Sequence, residues 1–210
     1  MRIKRVPVLF AVLAVAFSAA ACSEQTKGSP TGGAIVSPSA GDQVDVPQVE
    51  VPLNANPFLK RPCDLVEDSV LSELGDFQVP NEDVNSDAAK KLIGPRCNWH
   101  AKNHGPDVGL AINTVHRDNG TGGIKGVYDG KEAGLIDRLE PVKIPGNSGY
   151  PAAFAGGDDE FSRGRCPLAV GITNELSFTV SVTNRERPKQ ACSAVLKVAA
   201  SVLDTLKKGS

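Results

Sequence analysis

Five cysteines, at positions 22, 63, 97, 166 and 192, constrain this 210-residue chain more than any other feature. Cysteines pair in an oxidising compartment, and an odd count leaves one of them over. The N-terminus bears on both points. Basic Met1-Arg-Ile-Lys-Arg5 is followed by the apolar run Val6–Phe17 and then by small Ser18-Ala-Ala-Ala21, directly before Cys22. That order is the layout of an export signal. The apolar run is shorter than the roughly 20 residues that cross a bilayer, and Pro7 interrupts it, so a spanning anchor is the poorer reading.

Ala19-Ala-Ala-Cys22 resembles a bacterial lipobox, with Ala19 where a larger aliphatic residue is usual. Residues 1–21 are therefore expected to be removed, and Cys22 to become the lipid-bearing first residue of the mature chain. The expected location is the extracytoplasmic face of the cell membrane. Loss of Arg2, Lys4 and Arg5 takes the formal charge from −1 to about −4. With no basic stripe left, nucleic acid is not an expected partner.

Four cysteines then remain for the folded part, and four allow three connectivities. The intervals 63–97 and 166–192 each run from one predicted element to another, which favours Cys63–Cys97 and Cys166–Cys192. Loop-closure entropy assigns each link at most roughly 3.5–4 kcal/mol. Zinc is the competing reading, and the absence of any Cys-x-x-Cys pair weighs against it.

Residues 22–56 read as a lipidated cysteine followed by a disordered tether. Segment 23–56 holds four Pro, four Gly and four Ser but no aromatic residue, and such a composition buries too little apolar surface to offset its ordering entropy. A flexible chain of that length spans roughly 30 Å.

A single domain is expected over 57–210. Leu65, Val66, Val70, Leu71 and Leu74 line one side of a helix predicted over 63–75, stopped by Gly75. Residues 86–93 offer a further helical turn. Strands are predicted at 97–101, 108–115, 150–155, 166–173 and 176–183, with Asn174-Glu175 as a tight turn. Residues 190–207 form the last helix, striped by Val195, Ala199, Val202, Leu203 and Leu206. The glycine-rich stretch 117–136 allows a helix near 124–135. The sum is an α+β fold: an antiparallel sheet of about five strands, N- and C-terminal helices packed on one face, and two disulfides.

Pro62-Cys63-Asp-Leu, Cys97-Asn-Trp99, Gly149-Tyr-Pro-Ala-Ala153, Cys166-Pro-Leu-Ala-Val170 and Ala191-Cys192 occur here in order behind a lipidation-type signal. In this the chain resembles the actinobacterial lipoproteins grouped as domain of unknown function 3558, over about 57–208. The resemblance implies an extracytoplasmic lipoprotein with no established activity, similar to the small sensor domains of some actinobacterial kinases. The long glycine-rich 117–136 segment departs from that pattern.

Several short motifs invite a chemical reading. Gly146-Asn-Ser-Gly-Tyr-Pro151 is similar to the nucleophile loop of trypsin-like proteases, but His116 lies only 32 residues earlier and Tyr150 replaces a glycine. A turn entering a strand accounts for it. His100 and His104 have i, i+4 spacing but fall in a strand and a turn, so solvated histidines are expected. Gly120–Gly126 lacks the Gly-Lys-Ser/Thr of a phosphate loop and reads as a mobile loop or hairpin. Asp158, Asp159 and Glu160 read as a solvated acidic turn rather than a calcium loop. Trp99 alternates with Cys97 and should pack on the core beside the disulfide, or else floor a ligand cleft.

No catalytic residues, metal or cofactor are therefore expected. The leading expectation is a membrane-anchored binding or accessory domain for an envelope protein or a small apolar ligand. Its rivals are an envelope hydrolase using Ser148 and a sensor-like accessory to a surface kinase or transporter.

Overall fold

The computed structural model describes residues 45–209. The signal-like segment, Cys22 and the first part of the expected tether lie outside the described residues.

Seven antiparallel strands form one sheet: β1 (Asn81–Asp83), β2 (Arg96–Trp99), β3 (Asp107–Ile112), β4 (Arg138–Val142), β5 (Ala152–Gly156), β6 (Arg165–Gly171) and β7 (Ser177–Thr183). Their order is β1-β2-β3-β7-β6-β5-β4. All neighbours but one are consecutive in sequence; the β3–β7 pairing alone joins the first three strands to the last four. The α+β class is as expected, with two strands more than the five read from sequence. Both extra strands are sheet edges. Asn81-Glu-Asp83 offers no apolar alternation, and β4 contains Pro141, which a sheet tolerates at an edge.

The expected first helix divides. Pro62–Leu65 makes a 3-10 turn, Val66 turns extended, and α1 (Asp68–Leu74) follows, ending at Gly75 with φ +155°. α2 (Asp87–Lys91) starts from Ser86, whose hydroxyl accepts the Ala89 N–H. α3 (Thr114–Asp118) occupies the end of the expected 108–115 strand. α4 (Gly123–Glu132) and α5 (Asp158–Ser162) precede α6 (Pro188–Lys208), which has Pro188 in its first turn, where a missing N–H is harmless.

Packing follows strand alternation. Phe178, Val180 and Val182 of β7, Leu168 and Val170 of β6, and Val108, Leu110 and Ile112 of β3 point to one face. Val195, Val198, Ala199, Val202, Leu203 and Leu206 of α6 close over them. The Cys63–Cys97 disulfide ties the Pro62–Leu65 turn to β2, and Cys166–Cys192 ties β6 to α6. Trp99, only 3% exposed, shares the Cys97 face and belongs to this core. α1 and α6, the N- and C-terminal helices, share that face as expected, and a further helix lies on the other. α4 packs on the opposite side of β6, where Ile124 and Tyr128 meet Ala169. Ala169 is small enough to let a helix approach.

The packed chain also begins earlier than Pro57. Val49, Leu53 and Ala55 are buried in the main core. The Val49 N–H donates to Asn174 Oδ1 at 3.0 Å and the Leu53 N–H to the Ile172 carbonyl at 2.9 Å. The tether expected over 22–56 is therefore wrong for 45–56. Composition misled because the partners of this strap lie more than a hundred residues away, and Pro47 and Pro52 remove donors without preventing the residues between them from bonding.

Candidate functional site: a cleft over the polar sheet face

The face turned away from α6 carries small and polar side chains. Because directly paired residues point to the same side, two rows cross it: Arg96–Ala111–Thr179 and Asn98–Gly109–Ser181. Strands lie about 4.8 Å apart, so each row spans about 10 Å. In both rows β3 supplies the smallest residue, which leaves a trough between the polar side chains of β2 and β7. Gly126 and Val127 of α4, the following Ile136, and Ile93, His116 and Arg165 raise walls around it. The cleft measures about 450 Å³. That lies within the range of small-molecule sites, which pair apolar walls with a few placed polar groups.

Its wall on the α4 side depends on glycine. A Cβ at Gly122 would stand 2.0 Å from the Glu175 carbonyl oxygen, and one at Gly123 2.1 Å from that of Asn174. Gly123 also has φ +69°, a left-handed conformation that side chains disfavour. Gly120–Gly126 is thus the close entry of α4 against the β6–β7 turn, which corrects the expected mobile loop.

The electrostatics of the cleft are largely balanced by its own residues. Asp83 accepts from the Ser86 hydroxyl at 2.6 Å and the Ser86 N–H at 3.0 Å. It also accepts from Arg96, whose Nε lies at 2.8 Å and terminal nitrogen at 2.7 Å. The Ser86 hydrogen bonds, with Arg96 adding to them, hold its carboxyl well below the usual carboxylate range. Arg165 pairs with Glu160 at 2.5 Å. Asn113, 7% exposed, donates through Nδ2 to Ser177 Oγ and Thr179 Oγ1, each at 3.0 Å. By contrast, the Asn98 amide and the Ser181 hydroxyl have no hydrogen-bond partner among the described residues. Half-buried polar groups left open are where water or a ligand bonds.

The residues singled out from sequence fall elsewhere or apart. Ser148 lines a separate cleft of about 240 Å³ with Tyr128 and Tyr150, whereas His116 lines the larger one. In the same motif Asn147 is buried; its Oδ1 accepts from Lys207 of α6 at 2.5 Å, and Lys207 sits 5.5 Å from the Tyr150 ring centre. This motif clasps the C-terminal helix. His100 faces Asp107 at 3.5 Å and His104 faces Glu186 at 3.8 Å, so the two imidazoles serve different acids. Among the described residues no three His, Cys, Asp or Glu side chains gather to hold a metal ion. The expected acidic turn is the first turn of α5, where Asp159 pairs with Arg163 and Glu160 with Arg165. Trp99 does not line the cleft.

Asn98, Gly109 and Ser181 are not among the residues expected from sequence. Their signal is nevertheless present: Gly109 and Ala111 alternate with Val108, Leu110 and Ile112, and Ser177, Thr179 and Ser181 alternate with Phe178, Val180 and Val182. That pattern marks a polar face. It does not say that α4 makes the face concave.

No curated protein and no solved structure matches the chain. No helix among the described residues is long and apolar enough to cross a membrane. One family profile, described as a protein of unknown function (DUF3558), matches residues 17–205, and so takes in Cys22, all four domain cysteines, both rows of the cleft floor and most of α6. On a match covering that much of its length, the chain belongs to the DUF3558 family.

Proposed function

We propose that this protein is a lipid-anchored extracytoplasmic binding domain whose cleft over the polar sheet face takes a small ligand. Anchoring is supported by the signal-like residues 1–21 and the small residues before Cys22. The even number of cysteines left in the domain, two pairs, fits an exported chain. Binding rests on one observation: a cleft of about 450 Å³ whose floor presents an amide and a hydroxyl with no partner among the described residues, beside aliphatic walls. The role is binding rather than catalysis, a reading supported by the separation of Ser148 and His116 into different clefts.

Both halves can be tested. Mass spectrometry should find a diacylated Cys22 as the first residue, and Cys22→Ser should move the protein out of the detergent phase or leave its signal uncleaved. An unmodified Cys22 in the membrane fraction would sink the anchoring half. For the binding half, thermal melts of the full chain against envelope extracts should show a saturable rise in Tm. The cleft-lining substitution Thr179→Leu should abolish that rise; a rise that survives it would place binding elsewhere.

A further inference from the structure

We infer that the Asn98–Gly109–Ser181 row is a head-group subsite, and that it selects a small neutral amphiphile whose polar end both donates and accepts hydrogen bonds, a carboxamide or a hydroxyl. This rests on the reading of the cleft as a binding site and names its ligand class.

The three residues are register partners on adjacent strands, so their side chains rise from one line across the sheet. Gly109 makes a notch in the middle of that line. A Cβ built there would meet Ser181 Oγ at 3.1 Å and Asn98 Oδ1 at 3.2 Å, so both polar groups border the space that the missing side chain leaves. The φ of Gly109 is not in the left-handed region and its strand partners are regular, so backbone conformation does not require glycine at this position. The notch is the position's contribution.

The charge preference follows from the neighbours. Each of the two arginines at the cleft is already held by an acid, Arg96 by Asp83 and Arg165 by Glu160. β2 and β6 stand three strand spacings, about 14 Å, apart, and each guanidinium is engaged by its own carboxylate. Asn98 and Ser181 each carry a donor and an acceptor. A carboxylate satisfies only their donors and an ester oxygen likewise, whereas a carboxamide or hydroxyl answers both. Beyond the notch the walls are Val127, Ile93 and Ile136. An aliphatic tail leaving the notch meets the Val127, Ile93 and Ile136 side chains and takes apolar surface out of water.

Three probes of equal length isolate the head group: octanamide, methyl heptanoate and octanoate. Each is measured by equilibrium dialysis against the full lipidated chain in nanodiscs, with empty nanodiscs subtracted. Octanamide is expected to bind about tenfold more tightly than the other two, the difference made by about one additional well-placed hydrogen bond. Gly109→Ala and Ser181→Ala should each bring the octanamide-to-methyl heptanoate ratio down towards one, although Ser181→Ala also takes a donor from the ester oxygen. Ser181→Ala sits on the half-exposed face and carries the test even where another substitution fails to fold. Equal binding of octanamide and methyl heptanoate would overturn the subsite and leave the cleft. An octanamide preference that survives both substitutions would overturn it too. Binding of none of the three would remove the amphiphile class and, with no Tm rise from extracts, the cleft itself.

Discussion

On one face of the sheet Val108, Leu110, Ile112, Leu168, Val170, Phe178, Val180 and Val182 are each 2% exposed or less, sealed by α6 and crossed by both disulfides. On the other, β3 and β7 present Gly109, Ala111, Thr179 and Ser181, and α4 packs over β6 and against β4. The difference separates two jobs that one sheet performs. A fully buried Val, Leu or Phe contributes roughly 1.5–3 kcal/mol, so the α6 face supplies nearly all of the sheet's hydrophobic stabilisation. The polar face contributes little and is correspondingly free to vary in shape and hydrogen bonding.

The sharpest test of that division compares neighbours on a single strand. Phe178→Ala removes a ring that is 1% exposed and should destabilise by about 3–5 kcal/mol in urea unfolding. Ser181→Ala, three residues along β7 on the opposite face, should change stability by no more than about 0.5 kcal/mol. Similar losses at the two positions would break the comparison. The covalent half of the same face is tested by Cys166→Ser with Cys192→Ser. Opening a link of sequence separation 26 should cost about 3 kcal/mol, read as a lower urea midpoint. A midpoint within error of the parent would mean that α6 docks by packing alone.

These two faces were not equally legible in the sequence. The α6 face could be read because its signals are local: alternation in 166–173 and 176–183, the stripe of 190–207, and cysteines spaced between elements. What could not be read depends on contacts between distant segments. The strap at 45–56 looks like linker until Asn174 and Ile172 supply its partners. The edges β1 and β4 need no apolar alternation because only one side of each is paired. Gly122 and Gly123 look like loop residues until the carbonyls of Asn174 and Glu175 are seen against them. The cleft is the joint product of small residues on β3 and of where α4 lands. Each half could be read in the sequence, but their meeting could not.

The landing of α4 gives the next prediction. Gly123→Ala places a side chain at φ +69° and about 2 Å from a carbonyl oxygen, so either the helix or the β6–β7 turn must move. The expected loss is about 1–3 kcal/mol, the range for a strained backbone position. Because the core face is untouched, near-ultraviolet circular dichroism of Trp99 should stay native while octanamide binding falls. A change in the Trp99 signal would show that the faces are coupled through the sheet.

The smallest effect concerns charge at the rim of the open face. The carboxyl of Asp83 is held low by the Ser86 hydroxyl and N–H and by Arg96, so its contribution to stability is fully present above its unfolded pKa of about 3.9 and is lost as the pH falls from there towards the depressed folded value. Asp83→Asn should therefore lower the urea midpoint slightly at pH 7, and the gap from the parent should narrow below about pH 4. Glu67, lowered by Lys208, titrates in the same direction in both proteins and cancels from the difference. A gap that stays constant from pH 7 to pH 3 would mean that the asparagine acts through shape instead of charge. The same substitution also unmasks Arg96 beside the trough. Octanoate, disfavoured by the parent, should gain a few-fold in binding at pH 7 and lose that gain in high salt, while octanamide stays level. That pair of results would separate two properties of the open face, neutrality set by Asp83 and hydrogen bonding set by Asn98 and Ser181.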